Sequence, residues 1–338
     1  MKVLVLGGSG YIGSRLCNLL HDSDWAQPVS ASRSPTAGAS QLQRLHHLQV
    51  DTRDTAALAA GLRGFDAVVN CVAGNAGAIA QGAKGLVQAA LASGCQRIIH
   101  LSSMSVYGAI EGDVTEQSEA GPSLGWYGRA KCEAERHIAG FADAGGKAVV
   151  LRPGCVWGPG SELWVGRIGR WLRAGRLGDL GVAGDGWSNL VHVDDVCRAI
   201  GSALRDRSPP GEVRTFNLAA GDSPRWNQYF IDLALAIGAT PVRRISPGRL
   251  KLDAWLAGPP LKLTQRALTS LGRSARHAPD PMPPGVLKLW QRQLRLNATS
   301  ARLKLQIECA SYSVGLQQSA AWFLQNQQHA LQDQQLRA

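Results

Sequence analysis

An apolar run at 2–6 passes directly into the glycine-rich sequence Gly7-Gly8-Ser9-Gly10-Tyr11-Ile12-Gly13. A strand that leads through such a turn into a helix is typical of a dinucleotide-binding βαβ unit, although the spacing here is GxxGxxG. Gly7 permits the tight turn, Gly10 lets the backbone approach a pyrophosphate, and Gly13 lets the helix pack on the strand. A glycine turn without a ligand is the alternative. The start of the helix adds two cofactor-binding candidates whose N–H groups face the phosphates: Tyr11 and Ile12.

The first half of the chain alternates apolar, β-rich runs with helical patterns, which predicts a parallel sheet with crossover helices. The predicted strands lie at 2–6, 28–32, 47–50, 67–72, 97–101 and 147–151, and the predicted helices at 11–22, 54–62, 76–93 and 125–143. Right-handed crossovers bring the carboxyl ends of these strands to one edge, where α/β folds bind ligands. We therefore predict an α/β fold, a Rossmann-type doubly wound parallel sheet with a smaller, mostly C-terminal substrate lobe.

The domain boundaries follow from where this alternation stops. We expect the dinucleotide-binding domain at 1–155 with 188–220, and the substrate lobe at 156–187 with 221–325. The polar, Gln-rich residues 326–338 should form a frayed tail.

Cofactor choice depends on the end of the second strand, where NAD-binding folds carry an acidic residue roughly 20 residues after the last glycine. This chain has Arg33 there, between two serines. A guanidinium pairs with a 2′-phosphate, which predicts NADP(H), with NAD as a possible cofactor. The alternative is that Arg33 only stacks on adenine. Further cofactor-binding candidates follow the third and fourth strands: Asp51, Thr52, Asn70 and Ala73.

Hydroxyl groups follow the fifth strand, and a Tyr-x-x-x-Lys pair comes some way after them. Tyr127 and Lys131 are four residues apart, so they share one face of a helix. An ammonium group and an oxidised nicotinamide should together bring the tyrosine pKa down from its usual value of about 10. Tyr127 could then exchange a proton with a substrate oxygen while Ser103 stabilises the charge on that oxygen.

These motifs occur in the order seen in extended short-chain dehydrogenases/reductases, and the chain resembles their NAD(P)-dependent epimerase/dehydratase family over roughly residues 1–220. The matching motifs are GGSGYIG, HLSSMSVYG, YGRAK, LRPGCVWGPG and LVHVDDV. The resemblance implies that Tyr127 is the acid/base and Lys131 its ribose-binding partner. It also selects Ser103, which precedes Tyr107 of the VYG motif by four residues, over Ser102. Two residues near the nicotinamide are implied as well: Pro153 and Val156. A homodimer is possible by the same analogy.

The substrate is constrained by one departure from the family pattern. Sugar-nucleotide members carry an arginine just before the HVDD strand, whereas residues 184–190 contain none. The tryptophans at 157, 164, 171 and 187 indicate either an apolar substrate surface or ordinary core packing. We expect a ketone/secondary-alcohol conversion on a moderately apolar molecule, as in 3β-hydroxysteroid-dehydrogenase-like members. The alternatives are a sugar-nucleotide epimerase or dehydratase that retains its cofactor, and a non-catalytic cofactor sensor.

Charge and composition set the remaining expectations. The net charge of +11 equals the excess within residues 243–304, which hold thirteen basic and two acidic side chains. This segment is either a solvated face or attracts an anionic partner. The sequence has no recognised nucleic-acid motif and no metal-ligand cluster, so we expect neither nucleic acid nor a metal as a partner. It also has no apolar span, which predicts that there is no integral membrane segment. The seven cysteines form no CxxC pair, and we expect a cytoplasmic protein. Asp194 is interpreted as a helix N-cap rather than as a catalytic residue.

Overall fold

The computed structural model describes residues 1–33, 46–121, 123–257, 260, 261, 263, 264, 270 and 279–335. Its strands are β1 (Lys2–Leu6), β2 (Gln27–Ser32), β3 (His47–Gln49), β4 (Ala67–Asn70), β5 (Arg97–Leu101), β6 (Gly112–Val114), β7 (Lys147–Pro153), β8 (Cys155–Trp157), β9 (Leu190–His192), β10 (Val213–Leu218) and β11 (Leu294–Leu296). Its α-helices include α1 (Tyr11–His21), α2 (Thr55–Leu62), α3 (Ala76–Ser93), α4 (Trp126–Asp143), α5 (Arg167–Arg173), α6 (Val193–Leu204), α7 (Trp226–Ala236), α8 (Pro247–Leu252), α9 (Pro284–Trp290), α10 (Thr299–Lys304) and α11 (Tyr312–Gln335).

Seven strands form one sheet in the order β10-β7-β5-β4-β1-β2-β3. Every neighbouring pair is parallel, as the alternating pattern predicted. The register aligns Leu6 with Asn70, Asn70 with His100, and Leu101 with Leu151. The carboxyl ends of these strands therefore meet at one edge, and the predicted Rossmann-type α/β fold is confirmed.

The apolar runs form strands because both faces of this sheet are covered by helices. All four residues of β4 are buried, and so are four of the five residues of β1. One core cluster joins Leu4, Val68, Ile98 and Val150 of successive strands to Ile138 of helix α4. Burial of this kind stabilises the fold by about 25 cal/mol per Å² of apolar surface.

The chain divides into two compact units, each built from separate segments. The first comprises Met1–Gly154, Val191–Gly221 and Leu296–Cys309, and the second Cys155–Leu190, Asp222–Arg295 and Ala310–Ala338. The segment after Leu296, which the sequence analysis placed in the substrate lobe, packs in the first unit. There the Asn297 N–H donates to Val114 O at 2.9 Å.

Aromatic side chains fill the core of the second unit. Trp157 lies 5.5 Å from the ring of Tyr229 and 5.5 Å from that of Tyr312. Trp226 stacks on Phe230 at 5.6 Å. The fully buried tryptophans of this unit are Trp157, Trp171, Trp226 and Trp290. Core packing, the alternative left open for the tryptophans, therefore accounts for Trp157 and Trp171.

The expected frayed tail is wrong for the residues that the structure describes. Helix α11 runs without interruption to Gln335, and only 336–338 lie outside the described residues. Its second half is rich in glutamine, which has good intrinsic helix propensity although it supplies no apolar face. Among the described helices, none is both long enough and apolar enough to span a bilayer.

Candidate active site

The glycine turn after β1 has the backbone that a phosphate-binding loop requires. Gly7 adopts a φ of +75°, and a Cβ there would lie 3.0 Å from Cys71 O. A Cβ on Gly13 would collide with the backbone of Gly7, so only glycine lets α1 approach this closely. At Gly10 an added Cβ would meet only Gly7 O, at 3.2 Å. The residues at the N terminus of α1 include Tyr11 and Ile12, both partly exposed.

The end of β2 carries an exposed arginine, and a second arginine lies nearby. Arg33 is exposed, and its carbonyl accepts from Gln49 Nε2 at 3.0 Å. Asp51, just beyond β3, accepts from the Arg53 guanidinium at 2.6 Å. Hydrogen bonds from Arg53 lower the Asp51 pKa to about 2, and the charge of Arg33 contributes to the shift. Arg33 and Asp51 were predicted from the sequence, whereas Arg53, only two residues from Asp51, was not.

Three other cofactor candidates occupy the ends of β3 and β4. Thr52 is buried against α3, where a Cβ at Gly82 would meet Thr52 Oγ1 at 2.5 Å. Asn70 is buried, donates to His100 Nδ1 at 3.1 Å and accepts from the Val72 N–H. Ala73 is exposed. Thr52 and Asn70 thus shape the loops of this edge, while Ala73 presents a surface toward solvent.

Ser103 and Tyr127 are brought together from β5 and α4. Ser103 follows β5, where its Oγ accepts from the Ser105 N–H at 3.2 Å and so begins a short 3-10 helix, Met104–Tyr107. Tyr127 lies in the first turn of α4. Burial raises the Tyr127 pKa above its usual value, and a hydrogen bond with the Ser103 side chain offsets part of that rise. The two hydroxyl groups are therefore close enough to influence each other.

Lys131 lies one turn further along α4, with its side chain 2% exposed. Its Nζ donates to Leu101 O at 2.7 Å and lies 5.9 Å from the centre of the Tyr127 ring. Burial lowers the Lys131 pKa to about 8, and the Cys71 and Glu135 side chains oppose that shift. The lysine thus donates a hydrogen bond to the end of β5, and its predicted effect on Tyr127 when a nicotinamide is bound stays a prediction.

Cys71 lies near both Lys131 and the glycine turn. It follows β4, its carbonyl lies against Gly7, and its side chain is near enough to Lys131 to influence the Lys131 pKa. The glycine turn and Lys131 therefore meet at the end of the same central strand. Within the first unit, the predicted phosphate-binding and acid/base residues share this edge of the sheet.

A buried polar network under α4 was missed by the sequence analysis. Glu135 accepts from Arg152 at 2.6 Å and 3.0 Å, and also from the Ser102 hydroxyl. Arg152 also donates to Tyr107 Oη at 3.0 Å, which donates to Asn217 Oδ1 at 2.6 Å. The spacing of Tyr127, Lys131 and Glu135 at every fourth residue was the available signal. A cavity of about 370 Å³ lies beside this network.

Asp194 is not the N-cap of α6, contrary to the sequence analysis. His192 takes that role, because its Nδ1 accepts from the Asp194 N–H at 3.3 Å. Asp194 instead pairs with Arg15 of α1, with one Nη2–Oδ2 distance of 3.0 Å. The HVDD motif therefore ties the helix after the glycine turn to α6, which supports its exclusion from the catalytic candidates.

The last two candidates fall in different units. Pro153 ends β7 in the first unit and is buried. Val156 is the central residue of β8 in the second unit and is partly exposed. Their common role near a nicotinamide stays a prediction. Within the described residues, no group of three or more His, Cys, Asp and Glu side chains could hold a metal ion.

The residues of the glycine turn fit a dinucleotide. The close approach of the backbone at Gly13 and the space beside Gly10 leave room for a pyrophosphate, and the N terminus of α1 has no side-chain cap. Arg33 adds positive charge at the end of the neighbouring strand.

Comparison with known proteins gives concordant matches. Residues 3–219 match the model of the NAD dependent epimerase/dehydratase family. The chain is 27% identical over 263 residues to a 2-alkyl-3-oxoalkanoate reductase of Stenotrophomonas maltophilia, covering 72% of this chain and 77% of that protein. It is 25% identical over 244 residues to a 2′-dehydrokanamycin reductase of Streptomyces kanamyceticus, covering 70% and 67%.

A solved structure extends the likeness to nearly the whole chain. The UDP-glucose 4-epimerase of Thermotoga maritima, determined with UDP-glucose, matches with a TM-score of 0.73 at 21% identity. The match covers 96% of this chain and 99% of that one. At this identity the likeness concerns the fold.

Proposed function

Because the chain belongs to the NAD-dependent epimerase/dehydratase family and is therefore an NAD(P)-dependent enzyme, we propose that it is an NADP(H)-dependent oxidoreductase acting on a ketone or secondary alcohol. The observation that carries this proposal is the proximity of three side chains: Ser103 influences the Tyr127 hydroxyl, and the Lys131 ammonium lies 5.9 Å from the Tyr127 ring. A cofactor sensor has no need of such a group.

The proposed chemistry assigns one task to each side chain. When bound, the nicotinamide supplies or accepts the hydride. Tyr127 gives its phenolic proton to the substrate oxygen, or takes one from it, and Ser103 donates a hydrogen bond to the same oxygen. Lys131 fixes the end of β5 through Leu101 O, so that Ser103 and Tyr127 keep their mutual position. Gly7, Gly10 and Gly13 would hold the pyrophosphate.

The preference for NADP(H) rests on Arg33. Arg33 is exposed just after β2, the strand whose end carries an acidic residue in NAD-binding folds, and its charge contributes to the lowered Asp51 pKa. Among the described residues near the end of β2, Arg53 is paired with Asp51, so we propose Arg33 as the partner of a 2′-phosphate.

For the substrate we propose a moderately apolar small molecule that carries a keto group. Two reductases are among the relatives, and one of them is named for a 3-oxoalkanoate. The absence of arginine from residues 184–190 argues against a sugar diphosphate.

The test is consumption of NADPH by the purified protein. We expect NADPH absorbance to fall with 2-alkyl-3-oxoalkanoates or related ketones, and this loss to disappear in Tyr127→Phe. NADPH binding, followed by fluorescence, should persist in the variant. The proposal is wrong if no ketone in the series supports turnover while NADPH binds normally.

A sugar-nucleotide epimerase or dehydratase is the second candidate, favoured by the match to the UDP-glucose 4-epimerase structure. Such an enzyme would retain its cofactor and show no net consumption of it. Release of NAD on denaturing the purified protein, with conversion of UDP-glucose, would support this candidate over the first.

A further inference from the structure

The second unit carries an exposed apolar helix face. Helix α8 continues through a π-helical turn at Asp253–Ala257. Leu252, Trp255 and Leu256 are 58%, 62% and 67% exposed. Because they are three and four residues apart, they lie on one side of the helical segment. We call these three side chains the apolar face. Clustered large apolar side chains on a surface indicate an interaction site.

The opposite side of the same segment is firmly packed. Leu250 and Ala254 are buried, and Asp253 accepts from the Arg176 guanidinium at 2.6 Å and 2.9 Å. These contacts hold the helix on the body of the second unit. The apolar face is therefore presented outward by an anchored element.

Basic side chains lie on and just before the helix that carries the apolar face. Arg249 and Lys251 are exposed on that helix, and Arg243 and Arg244 are exposed just before it. Arg244 is paired with Asp179, and the acidic Asp253 is paired with Arg176, so the other three basic residues set the sign of the charge. The surface therefore combines apolar side chains with net positive charge, and an anionic partner complements it.

We propose that the apolar face docks on the surface of a bilayer that contains anionic phospholipid. Three side chains expose a few hundred Å² at most, against about 800 Å² that each partner contributes to a stable protein interface. Membrane docking needs less area, because shallow insertion of tryptophan and leucine adds to the attraction between basic side chains and lipid headgroups. The inference is independent of the proposed reaction.

Flotation of the full-length protein with lipid vesicles tests this proposal. We expect it to float with phosphatidylcholine vesicles that contain phosphatidylglycerol, and to float much less with phosphatidylcholine alone or at high salt. Trp255→Ser with Leu256→Ser should weaken binding about tenfold or more. The matched control is Val182→Ser with Leu235→Ser, two apolar residues of the same unit that are 86% and 58% exposed. It should bind as the unmodified protein does.

A second pair of variants separates charge from insertion. Arg243→Glu with Lys251→Glu should lower vesicle binding by about tenfold and remove most of its salt dependence. NADPH affinity, measured in solution, should be unchanged in all variants, which shows that they are folded. The proposal is overturned if anionic vesicles do not bind the protein, or if Trp255→Ser with Leu256→Ser leaves binding intact. It is equally overturned if those substitutions instead convert a dimer to a monomer in sedimentation equilibrium, since the face would then join two copies.

Discussion

The Lys131 ammonium donates to Leu101 O at 2.7 Å, at the end of the strand that leads to Ser103. It is thus held by a backbone carbonyl, while the phenol of Tyr127 is influenced by the Ser103 side chain. The tyrosine and the lysine therefore have separate partners. This arrangement makes their substitutions distinguishable by experiment.

Replacing Tyr127 by phenylalanine removes the proposed proton donor and retains the ring. We expect kcat/KM for ketone reduction to fall by about 10²- to 10⁴-fold, which is the usual contribution of a positioned acid or base. Because the ring remains, the dissociation constant for NADPH should stay about the same. A variant with normal turnover would show that another group moves the proton.

Replacing Lys131 by methionine should stabilise the protein at neutral pH. Burial lowers the Lys131 pKa from 10.5 to about 8. Below pH 8 the buried side chain is charged, and this charge lowers the free energy of unfolding by about 3 kcal/mol. Between those pKa values the unfolded chain binds more protons, so this lysine makes stability rise with pH. Urea unfolding should show a shallower rise over that range in Lys131→Met, together with loss of activity. If the free energy of unfolding rises with pH as steeply in Lys131→Met as in the unmodified protein, the lowered pKa does not belong to Lys131.

Arg33→Ser tests the cofactor preference. Loss of a charge-assisted contact with a 2′-phosphate should weaken NADPH binding by about tenfold to a hundredfold. NADH has no such phosphate, so its affinity should change little. Arg63→Ser, which removes an exposed arginine from the same unit, is the control for net charge. Equal weakening of both cofactors by Arg33→Ser would instead indicate stacking on adenine.

Gly13→Ala should abolish dinucleotide binding, because the new Cβ overlaps the Gly7 backbone and pushes α1 away from the turn. Gly140→Ala, on α4, is the matched control, since a Cβ there meets no atom within 4 Å. We expect that substitution to stabilise the helix by about 0.5–1 kcal/mol and to leave binding unchanged. Fluorescence titration and thermal unfolding together check both expectations.

The strands and early helices could be predicted from sequence because a parallel sheet buried on both faces requires uninterrupted apolar runs. The site candidates followed for the same reason, since the residues after β1, β4 and β5 must share one edge. The partner of Asp194 could not be predicted, because Arg15 is 179 positions away and only the packing of α1 on α6 joins them. The same holds for the network of Glu135 and Arg152. The spacing of Glu135 from Tyr127 and Lys131 on α4 can be read from the sequence, but its pairing with Arg152 on β7 cannot.

The ion pair of Glu135 and Arg152 should contribute strongly to stability only while both partners are present. Each side chain is 15% exposed, so Glu135→Gln leaves a buried guanidinium without its counter-charge, at an expected cost of about 3–5 kcal/mol. Glu133 is half-exposed on the same helix, so Glu133→Gln should lower the free energy of unfolding by about 0.5 kcal/mol or less. Glu135→Leu combined with Arg152→Met should be less destabilising than the sum of the single substitutions, because no unpaired charge remains. Urea denaturation of the unmodified protein and the five variants measures these differences, and additive effects would mean that the two charges are not coupled.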